Sequence, residues 1–148
     1  MLGKVIFPKY LDLGSPIVDV HINGTIFPYT LIDLGATINV MIKDTMLNLN
    51  LQVSLGKTTT VLQLAHRSIV TPKGIVKDVM ISIDCLKYPT DFLVLQLKTK
   101  FNGYPLILGR PWLATIDAYI GCRVGNMTIK DGHLSNRLVL YPPSQPYL

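Results

Sequence analysis

The sequence predicts an all-β, barrel-like domain, and three observations carry that prediction. Short runs with strand character recur along the chain, turn residues separate them at regular spacing, and only one or two short stretches have helical character. The length of 148 residues is enough for one domain with a buried core. Apolar residues make up 49% and charged residues 16%, the reverse of the balance in a disordered linker. All nine acidic residues are aspartates. A chain without glutamate lacks the Glu–Lys pairs on which long exposed helices draw.

Residues 17–22 alternate apolar and polar side chains, Asn23-Gly24 follows, and a second apolar run begins at Thr25. Asn-Gly between two such runs is a strong hairpin signal, because both residues accept the positive φ of a type I′ turn. The second arm continues through Leu31 and Ile32 into Asp33-Leu34-Gly35-Ala36, where glycine permits a sharp change of direction. After the apolar stretch 38–42, Asp44 is placed to cap one or two helical turns over 45–49. Strand-like arms at 60–64 and 75–83 flank a polar tip at 65–74 that contains Pro72 and Gly74, the pattern of a long hairpin. The run 91–97 is almost continuously apolar, as in a strand covered on both faces. A loop at 98–103 leads to Leu106-Ile107-Leu108-Gly109-Arg110, and Pro111 suits the first turn of a helix over 112–116. Strands are expected at 119–124, 127–130 and 137–141, with a turn at Gly125-Asn126. The Pro-rich tail 142–148 cannot join a sheet interior.

Composition removes several function classes. The net charge is +5 and the pI near 9.3, but the Lys and Arg residues are scattered, so no dedicated nucleic-acid stripe is visible. No apolar run reaches the roughly 18 residues of a membrane span, and the N-terminus has no secretory h-region, so a cytoplasmic domain without a membrane partner is expected. Cys85 and Cys122 have no Cys-x-x-Cys spacing; they read as buried reduced thiols, and neither a metal nor a cofactor is expected. The absence of glutamate excludes His-Glu-x-x-His zincins and glycosidases that rely on Glu. There is no Gly-x-Ser-x-Gly elbow and no phosphate-cradling glycine loop, and His21, His66 and His133 stand beside no recognisable nucleophile.

What remains is Asp33, at the end of an apolar strand and 76 positions before Gly109. The segment Leu31-Ile32-Asp33-Leu34-Gly35-Ala36-Thr37-Ile38-Asn39-Val40-Met41 resembles the active-site segment of retropepsin-like aspartic proteases. Its Asp-Leu-Gly-Ala form is similar to that of plant gypsy-type LTR retrotransposon polyproteins. Three further segments agree in order: Leu62 to Ile69 resembles the first flap arm, Asp91 to Leu95 the strand after the flap, and Leu106 to Leu113 the apolar-apolar-Gly motif with its helix.

The resemblance implies a closed retropepsin-like barrel with a flap hairpin and one or two short helices. It covers residues 15–141, between an N-terminal extension (1–14) and the tail (142–148). It implies an aspartic endopeptidase in which Asp33 is catalytic, Leu34, Gly35, Ala36 and Thr37 shape the active-site loop, and Leu108, Gly109 and Arg110 form the structural motif. Ala65, His66, Arg67, Ser68 and Ile69 would form the flap over an extended peptide or polyprotein. Aspartic proteolysis needs two carboxylates that share a proton. A chain with one such aspartate takes the second from another copy of itself, which implies a homodimer with Asp33 of each chain at the two-fold axis. Asp12-Leu13-Gly14 echoes the motif but precedes a hairpin instead of ending a strand, and reads as a turn. Leu34 departs from the family pattern, which has Thr or Ser there with a hydroxyl that bonds across the axis. Each such bond contributes about 0.5–1.5 kcal/mol. A silent barrel that serves as a dimerisation or peptide-binding module is the alternative. A basic barrel that binds nucleic acid is a third, and it requires exposed aromatics where Phe27, Phe92 and Trp112 occupy core-like runs.

Overall fold

The computed structural model describes residues 3, 5–10, 12–63, 69–83, 86–96, 104–131 and 134–140. The first hairpin forms where Asn-Gly stands. Strands β1 (Ile17–Ile22) and β2 (Thr25–Ile32) pair antiparallel around Asn23 and Gly24, whose φ angles are 50° and 80°. Pro28 is tolerated inside β2 because the register slips there, between Val18 and Val20 of the partner strand. On β1 this leaves Val18, Val20 and Ile22 buried and Asp19 and His21 exposed.

Strand β3 (Val40–Ile42) runs directly into helix α1 (Lys43–Asn48). Asp44 lies in the first turn of α1 and does not cap it; the N-cap is Ile42, with no side-chain bond. A carboxylate in that turn still meets the positive end of the helix dipole. A 3-10 turn (Gln52–Ser54) and β4 (Leu55–Gly56) follow.

The expected 65–74 tip is shorter than the sequence implies. Strand β5 (Leu62–Gln63) already pairs with β6 (Ile69–Val70), and Gly74 opens β7 (Gly74–Ile83). Pro72 is buried, so Pro72 and Gly74 mark the entry to β7 and not the hairpin tip. Strand β8 (Leu86–Leu95) starts earlier than its apolar run and pairs along the whole of β7. Strand β9 (Leu106–Leu108) leads into helix α2 (Arg110–Thr115), which carries Pro111 in its first turn as expected. Strands β10 (Ala118–Gly121), β11 (Asn126–Asp131) and β12 (Leu134–Val139) form a separate antiparallel sheet. Its first turn spans 122–125, and Asn126 pairs with Gly121, so the turn precedes the expected Gly125-Asn126 position.

The main sheet has the order β1-β2-β9-β3-β8-β7-β4. A further pairing of β1 with β7, at His21 and Ser82, closes the first six strands into a barrel. Two pairs are parallel, β2 with β9 and β3 with β8; β3 and β9 are antiparallel. Inside the barrel lie Val20, Met41, Ile81, Phe92, Leu106 and Trp112, each at most 1% exposed. Full burial of a side chain of this kind contributes about 1.5–3 kcal/mol.

A second apolar cluster of Val40, Leu93, Leu95 and Ile107 lies apart from this core, with Leu31, Ile38, Leu62 and Val70 packed against it. Residues 92–95 are therefore buried on both faces, which is why that run is continuously apolar. The described residues before β1 form no helix or strand, and the Tyr10 ring lies under the Arg123 guanidinium at 3.9 Å. Cys122 is exposed in the β10–β11 turn and not buried as expected, while Cys85 lies outside the described residues. No helix of the described residues is long and apolar enough to cross a membrane.

Candidate active site

Asp33 is the first residue after β2, and its surroundings come from distant parts of the chain. Its backbone N–H donates to the Leu108 carbonyl at 2.9 Å, extending the parallel β2–β9 ladder by one bond. The Gly35 N–H donates to Asp33 Oδ1 at 2.9 Å, and the Ala36 N–H to the Asp33 carbonyl at 3.1 Å. These bonds fold 33–36 into a turn that fixes one carboxylate oxygen. The Ala36 carbonyl in turn accepts the Arg110 N–H at 3.0 Å.

Gly109 explains how the two segments approach so closely. A Cβ there would stand 2.3 Å from the Ile38 carbonyl oxygen and 2.8 Å from that of Ala36, distances no side chain tolerates. The Gly109 N–H donates to Asn39 Oδ1 at 2.8 Å, and Asn39 Nδ2 donates to the Asp91 carbonyl at 3.1 Å. The Asn39 carbonyl accepts the Leu93 N–H at 2.9 Å. Asn39, 5% exposed, thus ties the Asp33 loop to the end of β9 and to β8. Sequence reasoning assigned Asn39 no role. The signal was a lone amide inside the apolar stretch 38–42, since a buried amide must find partners.

The structure brings Asp33, Leu34, Gly35, Ala36 and Thr37 beside Leu108, Gly109 and Arg110. Asp33 and Ala36 are half-buried, Leu34 is 57% exposed, and Gly35, Thr37 and Arg110 are exposed. Leu108 and Gly109 are buried beneath them. Of the expected flap residues, Ala65, His66, Arg67 and Ser68 lie outside the described residues, and Ile69 stands on β6, exposed. The hairpin arms next to it pack Leu62 and Val70 on the second apolar cluster, alongside Leu31 and Ile38, which flank the Asp33 loop in sequence.

Asp12 makes the same local turn, with the Gly14 N–H on its Oδ1 at 2.9 Å. It is exposed and precedes the barrel, so the Asp-Leu-Gly turn alone does not build a site. Among the described residues no group of three His, Cys, Asp or Glu side chains could hold a metal ion. Phe27, Phe92 and Trp112 are buried and offer no stacking face to a base.

The structure thus holds a half-buried aspartate on a glycine turn against the apolar-apolar-Gly segment of β9. The profile of the retroviral aspartyl protease family matches residues 16–135, spanning every strand of the barrel and both halves of this site. The chain belongs to this family. Its fold is similar to that of the retroviral protease-like domain of Ddi1 from Leishmania major in its crystal structure. That likeness has a TM-score of 0.67 and 17% identity, and covers 86% of this chain and 96% of the other. The closed six-stranded barrel with two short helices is the retropepsin-like fold expected. No curated protein matches the chain.

Proposed function

We propose that this retropepsin-like chain is an aspartic endopeptidase that acts as a homodimer. The observation that carries the reading is the Asp33 loop: the chain supplies one partly exposed carboxylate, on a turn locked by Gly35, Leu108, Arg110 and Asn39. Two copies related by a two-fold axis bring two such carboxylates together. One takes a proton from the attacking water while the other, protonated, hydrogen-bonds the scissile carbonyl oxygen. Both return to the starting state when the leaving amine takes its proton.

An extended peptide fits the surroundings. The apolar side chains of Leu31, Ile38, Val40 and Ile107 lie next to the Asp33 loop, and the β5–β6 hairpin lies over the same cluster. Residues 65–69 at its tip would close on the peptide as a flap, and backbone hydrogen bonds along the strand would hold it. The functional unit is placed at 15–141, and its substrate is a polyprotein of the gypsy type, a reading supported by the Asp-Leu-Gly-Ala form of the motif.

The test is digestion of a peptide library at pH about 5 by wild type, Asp33→Asn and Leu34→Thr, with the oligomeric state followed by sedimentation. Cleavage by wild type that disappears in Asp33→Asn is the expected result. Cleavage by Leu34→Thr alone would identify an enzyme weakened by loss of the hydroxyl at the axis. Silence of all three as stable dimers would overturn the reading in favour of a binding module.

A further inference from the structure

One surface lies outside the Asp33 site, the outward face of the β10–β11–β12 sheet. Met127 and Ile129 are buried, so the alternation of β11 turns Thr128 and Lys130 outward. Register then fixes their neighbours. Tyr119, Thr128 and Arg137 stand in one row across the three strands, and Lys130 faces Ser135 in the neighbouring row of the same face. Lys130, Ser135 and Arg137 are exposed, and Tyr119 is 52% exposed. None of these positions is acidic; the flanking acids are Asp117, ahead of β10, and Asp131, at the end of β11.

The same sheet is where cations meet aromatic rings. The Lys130 ammonium lies 4.9 Å from the centroid of the Tyr119 ring. At the β10–β11 turn the Arg123 guanidinium stands over Tyr10, which is itself 56% exposed. Among the described residues these are the two cation–aromatic pairs, and one small sheet holds both. Each pair sets an open ring beside a positive charge, the combination that meets a nucleotide at its base and at its phosphate.

From this we propose that the outward face of the β10–β11–β12 sheet binds single-stranded nucleic acid. Tyr119 stacks on a base, Arg137 and Lys130 neutralise neighbouring phosphates, and the Thr128 and Ser135 hydroxyls bond to sugars or base edges. These contacts tolerate any sequence. The scatter of Lys and Arg along the chain hides the surface, because strand register is what brings 119, 130 and 137 together. An acidic peptide would meet the two charges and leave the ring unused, and a duplex has no open base face for Tyr119. The proposal is independent of the endopeptidase reading.

The test is fluorescence anisotropy of a labelled oligouridylate titrated with the full chain across a salt series. A labelled polyglutamate and a nucleic-acid duplex of equal length are run beside it. Saturable binding of the single strand that weakens with salt is the expected result. Tyr119→Ala should weaken it about tenfold, while Tyr119→Phe keeps the stacking face and the affinity. Lys130→Gln/Arg137→Gln should lower the slope of log affinity against log salt by about 1.4, the value for two phosphate contacts with a single strand. Lys57→Gln/Lys73→Gln removes the same charge from residues outside this sheet, and should leave the slope and the Tyr119 dependence as they are. Equal losses in the two double variants would mean that net charge alone attracts the strand, and would overturn the site. Absence of binding, or indifference to Tyr119→Ala, would overturn it as well. Equally tight binding of the duplex or of polyglutamate would replace it with a general polyanion surface.

Discussion

Asn39 and Gly109 hold the Asp33 loop at the scale of single residues. The amide of Asn39 accepts from the Gly109 backbone in a buried bond and donates to the Asp91 carbonyl in a partly buried one. Truncating it strands the buried Gly109 N–H and leaves the partly buried Asp91 carbonyl without this donor. We expect Asn39→Ala to lower stability by about 1–3 kcal/mol per group left unsatisfied, read as a shift of the urea midpoint at unchanged slope. The same variant should lose peptide cleavage even where it remains folded, because the Ala36–Arg110 contact depends on the placement of Gly109. Neither role is visible in a one-dimensional pattern. An asparagine between Ile38 and Val40 looks like an interruption until β8 and β9 are set on either side of it.

At the scale of elements, the β1–β2 hairpin is governed by local backbone preference. Gly24 has a φ of 80° with open space around it, so Gly24→Ala adds backbone strain and no clash. A loss of about 1 kcal/mol is expected, with the fold and the Asp33 loop unchanged; thermal unfolding followed by circular dichroism checks it. The α2 start is governed in the same local way, by Pro111 in the first turn. The β5–β6 hairpin is different. Among the described residues its arms are two residues each, and they gain their support by packing Leu62 and Val70 on a cluster belonging to the barrel. That is why Pro72 and Gly74, strong turn signals in isolation, stand at the entry to β7 and not at the tip.

At the scale of the whole molecule, the proposed homodimeric site, with one Asp33 from each chain, makes activity depend on a partner copy. Mixing wild type with an equal amount of Asp33→Asn and allowing exchange leaves about a quarter of all dimers with two intact carboxylates. Cleavage at fixed total chain concentration should fall to that fraction. A fall to only a half would mean that each chain acts alone, and would contradict the shared site. The measurement is a steady-state peptide assay across mixing ratios.

Much of the architecture was legible because it depends on short-range chemistry. Asn23-Gly24 defines a turn by its φ angles, the apolar run at 92–95 signals cover on both faces, and Asp33-Leu34-Gly35 closes its own carboxylate-to-backbone turn. That last motif occurs twice with the same 2.9 Å bond, at Asp12 and at Asp33. By itself, then, the sequence determined an all-β chain, its first hairpin, its α2 start and the turn that presents an aspartate. The tertiary structure decided which of the two Asp-Leu-Gly turns is built into the barrel. It did so through the parallel pairing of β2 with β9, the close approach at Gly109 and the buried amide of Asn39. It also decided where β7 bulges to set Asp78 beside Asp91. These features join residues 13 to 76 positions apart in the chain. Only a closed barrel brings such residues within hydrogen-bond distance, and so local periodicity carries no trace of them.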